Sequence, residues 1–202
     1  MGRFYTFLLL GACILAGCGN QSQNTAYERE VLQIRLEKDA SLFDPLRTVL
    51  RPKELARFTG LKYFPVDSTY RYELPFEPID EPPTVLIAKQ TSGPVPYKHI
   101  GYVTVGTSPA VRLSVFWNEE MEEGTGWIPF TDATNGTDTY GGGRYLNIDL
   151  LDDALAVVDF NLASNPYCEY NAYDFNCAIP PASNRLSFRI PAGEKKSLLL
   201  DG

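Results

Sequence analysis

Beyond Gly60 the chain is divided into short runs rich in Val, Ile, Tyr, Phe and Thr, separated by Pro, Gly and Asn-Gly clusters. No other feature constrains the fold as strongly. β-Branched and aromatic side chains fit a pleated, half-buried surface, whereas Pro and Gly punctuate it with turns. The runs at 70–76, 84–90, 99–105, 111–117, 127–131, 144–150, 156–160 and 185–190 are read as strands. Short strands at this spacing predict a mainly β fold, either a β-sandwich or a small barrel. The 15 prolines and 16 glycines suit many turns and sheet edges. No repeat or internal linker divides residues 27–202, which are read as a single mainly-β domain.

One or two helices precede the strands. In 27–43, Leu32, Leu36, Ala40 and Phe43 recur at three- and four-residue spacing and are expected to form the apolar face, with charges around the remainder. Pro45 ends the helix. A second short helix is expected over 52–58, with Pro52 in its first turn and Gly60 terminating it.

The amino-terminal segment predicts where the protein resides. A basic residue, Arg3, precedes a nearly uninterrupted apolar run from Phe4 to Gly17, too short for a comfortable bilayer span. It ends in Leu15-Ala16-Gly17-Cys18, which resembles the bacterial lipobox, in which the cysteine is acylated and becomes the first residue. Residues 1–17 are therefore read as a lipoprotein signal peptide, Cys18 as the lipidation site and the small polar stretch 18–26 as a flexible tether. No acidic residue follows Cys18 directly, which by resemblance to sorting rules favours the periplasmic face of the outer membrane. The expected membrane partner is thus reached through lipid.

A formal net charge of −7, without a basic patch interleaved with aromatics, argues against nucleic acid as a partner. The same charge predicts a body held off anionic headgroups. Of four cysteines, Cys13 falls in the signal segment and Cys18 carries lipid. In an exported, oxidising compartment, Cys168 and Cys177 are read as a disulfide. His99 is the only histidine, so any Ser-His-Asp or Cys-His mechanism must use it. A zinc site from His99, Cys168 and Cys177 would need a fourth ligand, and its cysteine spacing is not the usual one. Asp132, Asn135 and Asp138 fail the EF-hand spacing. Neither a metal nor a cofactor is expected.

The densest polar cluster lies between two candidate strands, in Thr131-Asp132-Ala133-Thr134-Asn135-Gly136-Thr137-Asp138-Thr139-Tyr140-Gly141-Gly142-Gly143-Arg144-Tyr145. Asn135-Gly136 signals a tight turn. The glycine triplet bares its backbone N–H groups, which with Arg144 can form an anion-binding nest or can simply make a packed bend. Asp159, Asn161, Asn165, Asn184 and Arg185 are likewise polar and adjacent to turns. Together with Asp132, Thr139, Tyr140, Arg144 and Tyr145 they form the candidate ligand-binding set.

Several of these segments occur in a shared order. Phe58-Thr59-Gly60-Leu61-Lys62-Tyr63-Phe64-Pro65-Val66-Asp67, Ile128-Pro129-Phe130-Thr131-Asp132-Ala133-Thr134, Thr139-Tyr140-Gly141-Gly142-Gly143-Arg144-Tyr145, Asp159-Phe160-Asn161, Asn165-Pro166-Tyr167-Cys168, Asn184-Arg185-Leu186 and Ala192-Gly193-Glu194 resemble the uncharacterised domain-of-unknown-function family sixteen-eighty-four, over about 35–195. The resemblance implies a bacterial and archaeal family with no assigned activity, so no catalytic residue is transferred. Three functions remain open. The first is an envelope lipoprotein that binds a small anionic ligand or an envelope component through the Tyr140–Arg144 region. The second is a hydrolase or transferase with Asp132 or Asp159 as general base and Arg144 as electrostatic stabiliser. The third is a structural or assembly lipoprotein, which predicts an exposed apolar patch. The sequence does not fix the oligomeric state.

Overall fold

The computed structural model describes residues 18–151 and 154–197. The signal segment 1–17, with Cys13, lies outside the described residues. Two α-helices, α1 (Cys18–Phe43) and α2 (Pro52–Leu55), precede seven strands: β1 (Arg71–Pro78), β2 (Thr84–Ile87), β3 (Val95–Val105), β4 (Val111–Trp117), β5 (Thr125–Phe130), β6 (Arg144–Leu151) and β7 (Leu155–Asp159).

The strands pair antiparallel in the order β1-β7-β6-β5-β4-β3-β2, and β1 also pairs with β3. That last pairing closes six strands into a barrel and leaves β2 as an extra strand on β3. Of the two expected architectures, the fold is the small barrel. The closing seam is short: Phe76↔Val103, Glu77↔Tyr102 and Pro78↔Gly101. It requires glycine at 101, because a Cβ there would lie 2.5 Å from the Glu77 carbonyl oxygen and from the Phe76 ring. Period-two alternation sends Val103, Val105, Leu113, Val115, Ile128, Phe130, Leu146, Ile148, Ala156 and Val158 inward, and Phe160 completes the core. On the outer face Tyr97, Phe116, Trp127 and Tyr145 form a second apolar layer under β2 and the 170s loop.

Most strand positions follow the sequence pattern, but 185–190 does not form a strand. It crosses one end of the barrel as an extended plug with a single bridge, Thr131↔Arg185, and inserts Leu186 and Ile190 into the core. Asn184 explains the substitution of side chain for ladder. Its Nδ2 donates to the Ser114 and Pro129 carbonyls, and its Oδ1 accepts from the Ser114 N–H.

Two expectations about the amino-terminal helix are corrected. Over the described residues α1 runs from Cys18, so the segment read as a flexible tether, 18–26, is helical backbone continuous with the rest of α1. The face expected to be buried also points outward: Leu32 is 43 %, Leu36 63 % and Phe43 48 % exposed. The face turned to the barrel carries Tyr27, Val31, Arg35, Lys38 and Leu42. Hydrogen bonding accounts for this inversion. Arg35 donates to the Phe64 and Asn161 carbonyls, both at 2.9 Å, and Lys38 donates to Glu194 at 2.6 Å. Buried carbonyls and a buried carboxylate are costly without donors, and α1 supplies them.

Candidate functional site

Phe130 and Arg144 are register partners in β5 and β6, so the loop between them, 131–143, folds over one end of the barrel. Arg144 shares the inward face of β6 with Leu146 and Ile148 and is fully buried. Its guanidinium donates to the Ala192 carbonyl, to the Ile190 carbonyl at 2.9 Å and to Asp132 Oδ1 at 3.3 Å. Asp132 in turn accepts from the Thr134 hydroxyl (2.8 Å) and from the Ile190 N–H (2.7 Å). The Thr134 hydroxyl also meets Thr139, and Asn135 ties the Asp132 N–H to the Tyr140 carbonyl. Burial pulls the Arg144 pKa down, and the neighbouring Asp132 opposes that shift. The pair fastens the carboxy-terminal segment to the barrel.

The glycine triplet makes the packed bend and not an open nest around Arg144. Gly143 has φ +96°, and a Cβ there would lie 2.6 Å from the Pro180 ring and 2.7 Å from the Phe130 carbonyl oxygen. Thr139 and Tyr140 do line a small cleft of about 110 Å³, but its cation is Lys196 and it also contains Glu169. The anion reading that paired Tyr140 with Arg144 is therefore corrected: the guanidinium faces the barrel interior.

A second network lies beneath α1. Asp159 Oδ2 accepts from the Tyr27 hydroxyl at 2.7 Å, and its Oδ1 accepts from the Asn161 N–H at 2.9 Å. Asn161 bridges onward to both the N–H and the carbonyl of Asp67. Burial, reinforced by Asp159, raises the Tyr27 pKa, so this phenol remains a donor. A crevice of about 120 Å³ between α1 and the barrel reaches Asp159, Arg71 and Asp149.

The third network centres on Glu194, which is fully buried. It accepts from Lys38, from the Tyr170 hydroxyl and from Asn165, whose Nδ2 lies at 3.1 Å. Burial and then Glu194 push the Tyr170 phenol well above its usual range. Arg35, Lys38 and Glu194 are absent from the sequence-derived candidate set. Their one signal is that Arg35 and Lys38 share a helix face with Val31 and Leu42.

The remaining candidates stand apart. Tyr145 donates to the Ala178 carbonyl at 2.7 Å and packs edge-on against Trp127. Asn184 is consumed by β4 and β5, and Arg185 is exposed. The ten candidates thus divide among separate structural networks and do not converge on one cleft. His99 is half-buried between Tyr102 and Phe116, its Nε2 has no partner, and burial lowers its pKa. Cys168 and Cys177 form a disulfide. Among the described residues, no group of three or more His, Cys, Asp or Glu side chains is placed to hold a metal ion. None of the described helices is long and apolar enough to cross a membrane.

The family model described as "Protein of unknown function (DUF1684)" matches residues 56–195. The chain is also similar to the solution NMR structure of an uncharacterized protein from Haloarcula marismortui, with 30 % identity and a TM-score of 0.69, over 88 % of this chain and 98 % of that one. No curated protein matches.

Proposed function

The chain belongs to the DUF1684 family, and for this member we propose a non-enzymatic role as a lipid-anchored envelope protein whose barrel is seated on the membrane through α1. One observation carries the reading: the helix described from Cys18 turns Tyr27, Val31, Arg35, Lys38 and Leu42 to the barrel and leaves Leu32 and Leu36 to solvent, with Phe43 half-exposed beside Phe58. Leu46, just beyond it, is 95 % exposed. Exposed leucines beside a lipid anchor add a second contact with the bilayer, and stable anchoring takes two signals, here acyl chains and those side chains. Cys18 lies in the same helix, about 21 Å before Leu32 at 1.5 Å per residue, so the partner of the exposed leucines is the bilayer that the acylated Cys18 would enter.

Charge alone would hold the body off anionic headgroups. Burying Leu or Phe is worth about 1.5–3 kcal/mol each when complete. An acidic side chain such as Glu28, Glu30 or Glu37 loses about 1 kcal/mol near an anionic surface and less near a zwitterionic one. The apolar term therefore dominates on zwitterionic lipid. The catalytic alternative has weaker support, because Asp132 is closed in with Arg144 and Asp159 is held by Tyr27 and Asn161.

Flotation of the full chain on phosphatidylethanolamine–phosphatidylcholine vesicles tests this reading. The unaltered, acylated chain is expected to float, and Cys18→Ser to lose most of that binding. In the Cys18→Ser background, Leu32→Gln/Leu36→Gln is expected to weaken the residual partition about tenfold or more. Residual binding insensitive to the Leu pair would contradict the seating, and an unprocessed, soluble native chain would contradict the anchor.

A further inference from the structure

On the barrel wall opposite α1 lies a groove of about 410 Å³, within the ~300–1,000 Å³ range of small-molecule sites. α1 borders β6, β7 and β1 at the crevice lined by Tyr27, Asn147, Val157 and Arg71. β4 lies three strands from β7 around the closed ring, and β3 three from β6. The groove forms where these two strands part. Lys98↔Trp117 is the last pair between them. β4 then leaves through a turn in which the Met121 N–H bonds the Asn118 carbonyl, while β3 extends back to Val95 beside β2.

Two aromatic residues border the groove from opposite faces of the sheet, since Trp117 pairs with Lys98 and Tyr97 is its alternate neighbour, and both are held without any ligand. Tyr97 stacks on Trp127 at 4.9 Å and 23°. Trp127 is wedged in turn against Phe116 and Tyr145. Trp117 is fixed by its indole N–H, which donates to the Glu122 carbonyl at 3.2 Å. Around the rings stand hydrogen-bonding groups of both kinds: Glu119 and Glu120 as acceptors, Lys98 as donor and the Thr84 hydroxyl as either. Burial and the nearby Glu120 raise the Tyr97 pKa, so its hydroxyl is a donor at neutral pH.

This lining discriminates among ligand classes. An added peptide strand needs N–H groups on the open edge of β3. The two backbone polar groups of a residue in an antiparallel ladder face the same neighbour, and the facing alternates along the strand. The His99 N–H bonds the Pro83 carbonyl on the β2 side, which places Tyr97 and Val95 on that side too and leaves Pro96 facing the open edge. Proline has no N–H, so strand addition is blocked. Anions meet two carboxylates against one ammonium. A neutral sugar satisfies every group present, with its C–H face against an aromatic ring and its hydroxyls paired with carboxylate, ammonium and hydroxyl partners.

We propose that this groove binds a neutral, unbranched oligosaccharide, with a sugar ring packed on Trp117, the Tyr97 hydroxyl donating to it and its own hydroxyls donating to Glu119 and Glu120. Groove and membrane-seating helix occupy opposite walls, so a lipid-anchored chain would present the sugar site away from the bilayer. The sugar site does not depend on that seating.

Calorimetric titration of the full chain in neutral detergent, with tri-N-acetylglucosamine, cellotriose and maltotriose as probes, tests the site without any bilayer. Saturable binding of at least one trisaccharide is expected, about tenfold weaker or more in Trp117→Ala. Glu120→Gln, an exposed change that spares the fold, is also expected to weaken it, and Arg71→Ala on the far wall to leave it unchanged. Heat release with none of the three, binding indifferent to both groove variants, or binding of tetramethylammonium in place of the sugars would overturn the proposal. Should Trp117→Ala fail to fold, as judged by its circular dichroism, the Glu120→Gln comparison decides the matter.

Discussion

Arg144 shows how a charged residue can resemble a ligand site and still serve the fold. In sequence it follows three glycines near two aspartates. In the barrel it is a core residue of β6 whose donors reach Asp132 and two carbonyls of the carboxy-terminal segment. The period-two alternation Arg144, Leu146, Ile148 already placed it on the inward face. What the alternation could not reveal was the set of acceptors, because Ile190 and Ala192 arrive from a distant segment. Arg144→Ala leaves the Asp132 carboxylate buried without its cation, and is expected to cost about 3–5 kcal/mol in urea unfolding. Asp132→Asn/Arg144→Met is expected to cost less than the sum of its single changes, since the two residues share one network. His99 carries a pH prediction. Its folded pKa lies below the unfolded value, so the unfolded chain binds the extra proton first as pH falls. Stability is therefore expected to decrease from pH 7.5 to pH 5. His99→Phe is expected to flatten that part of the urea-midpoint profile, and an unchanged slope would show that His99 does not contribute to it.

At the scale of elements, strands were legible and the helix orientation was not. The segment 111–117 was readable because alternation and β-branched residues coincide there, and it is β4 unchanged. The segment 185–190 has similar composition but is bounded by Pro180-Pro181 and Pro191, and forms a plug. α1 was misread for a different reason. A rule that counts apolar side chains selects Leu32, Leu36, Ala40 and Phe43, whereas the buried face is decided by acceptors contributed by Phe64, Asn161 and Glu194. Arg35→Ala strands two buried carbonyls and is expected to cost on the order of 2 kcal/mol or more in chemical denaturation. Leu36→Gln is expected to fall within about 0.5 kcal/mol of the native chain. The opposite ranking would mean that α1 docks through its apolar face in solution.

Across the whole molecule, closure was the step least available from sequence. The seam rests on three residue pairs and on the space left by Gly101, whereas a sandwich and a barrel share the same strand pattern. Closure also gives the molecule two distinct walls, with α1 bordering one and the Trp117 groove on the other. The acylated chain with Leu36→Cys, carrying a polarity-sensitive fluorophore, can be placed on vesicles whose lipids bear spin labels at known depth. Strong quenching by shallow acyl-chain labels is expected at Leu36, with little at the same fluorophore on Glu119→Cys across the barrel. A Leu36 probe that remains as unquenched as the Glu119 probe, on chains that nonetheless float with the vesicles, would contradict the seating of the barrel through α1.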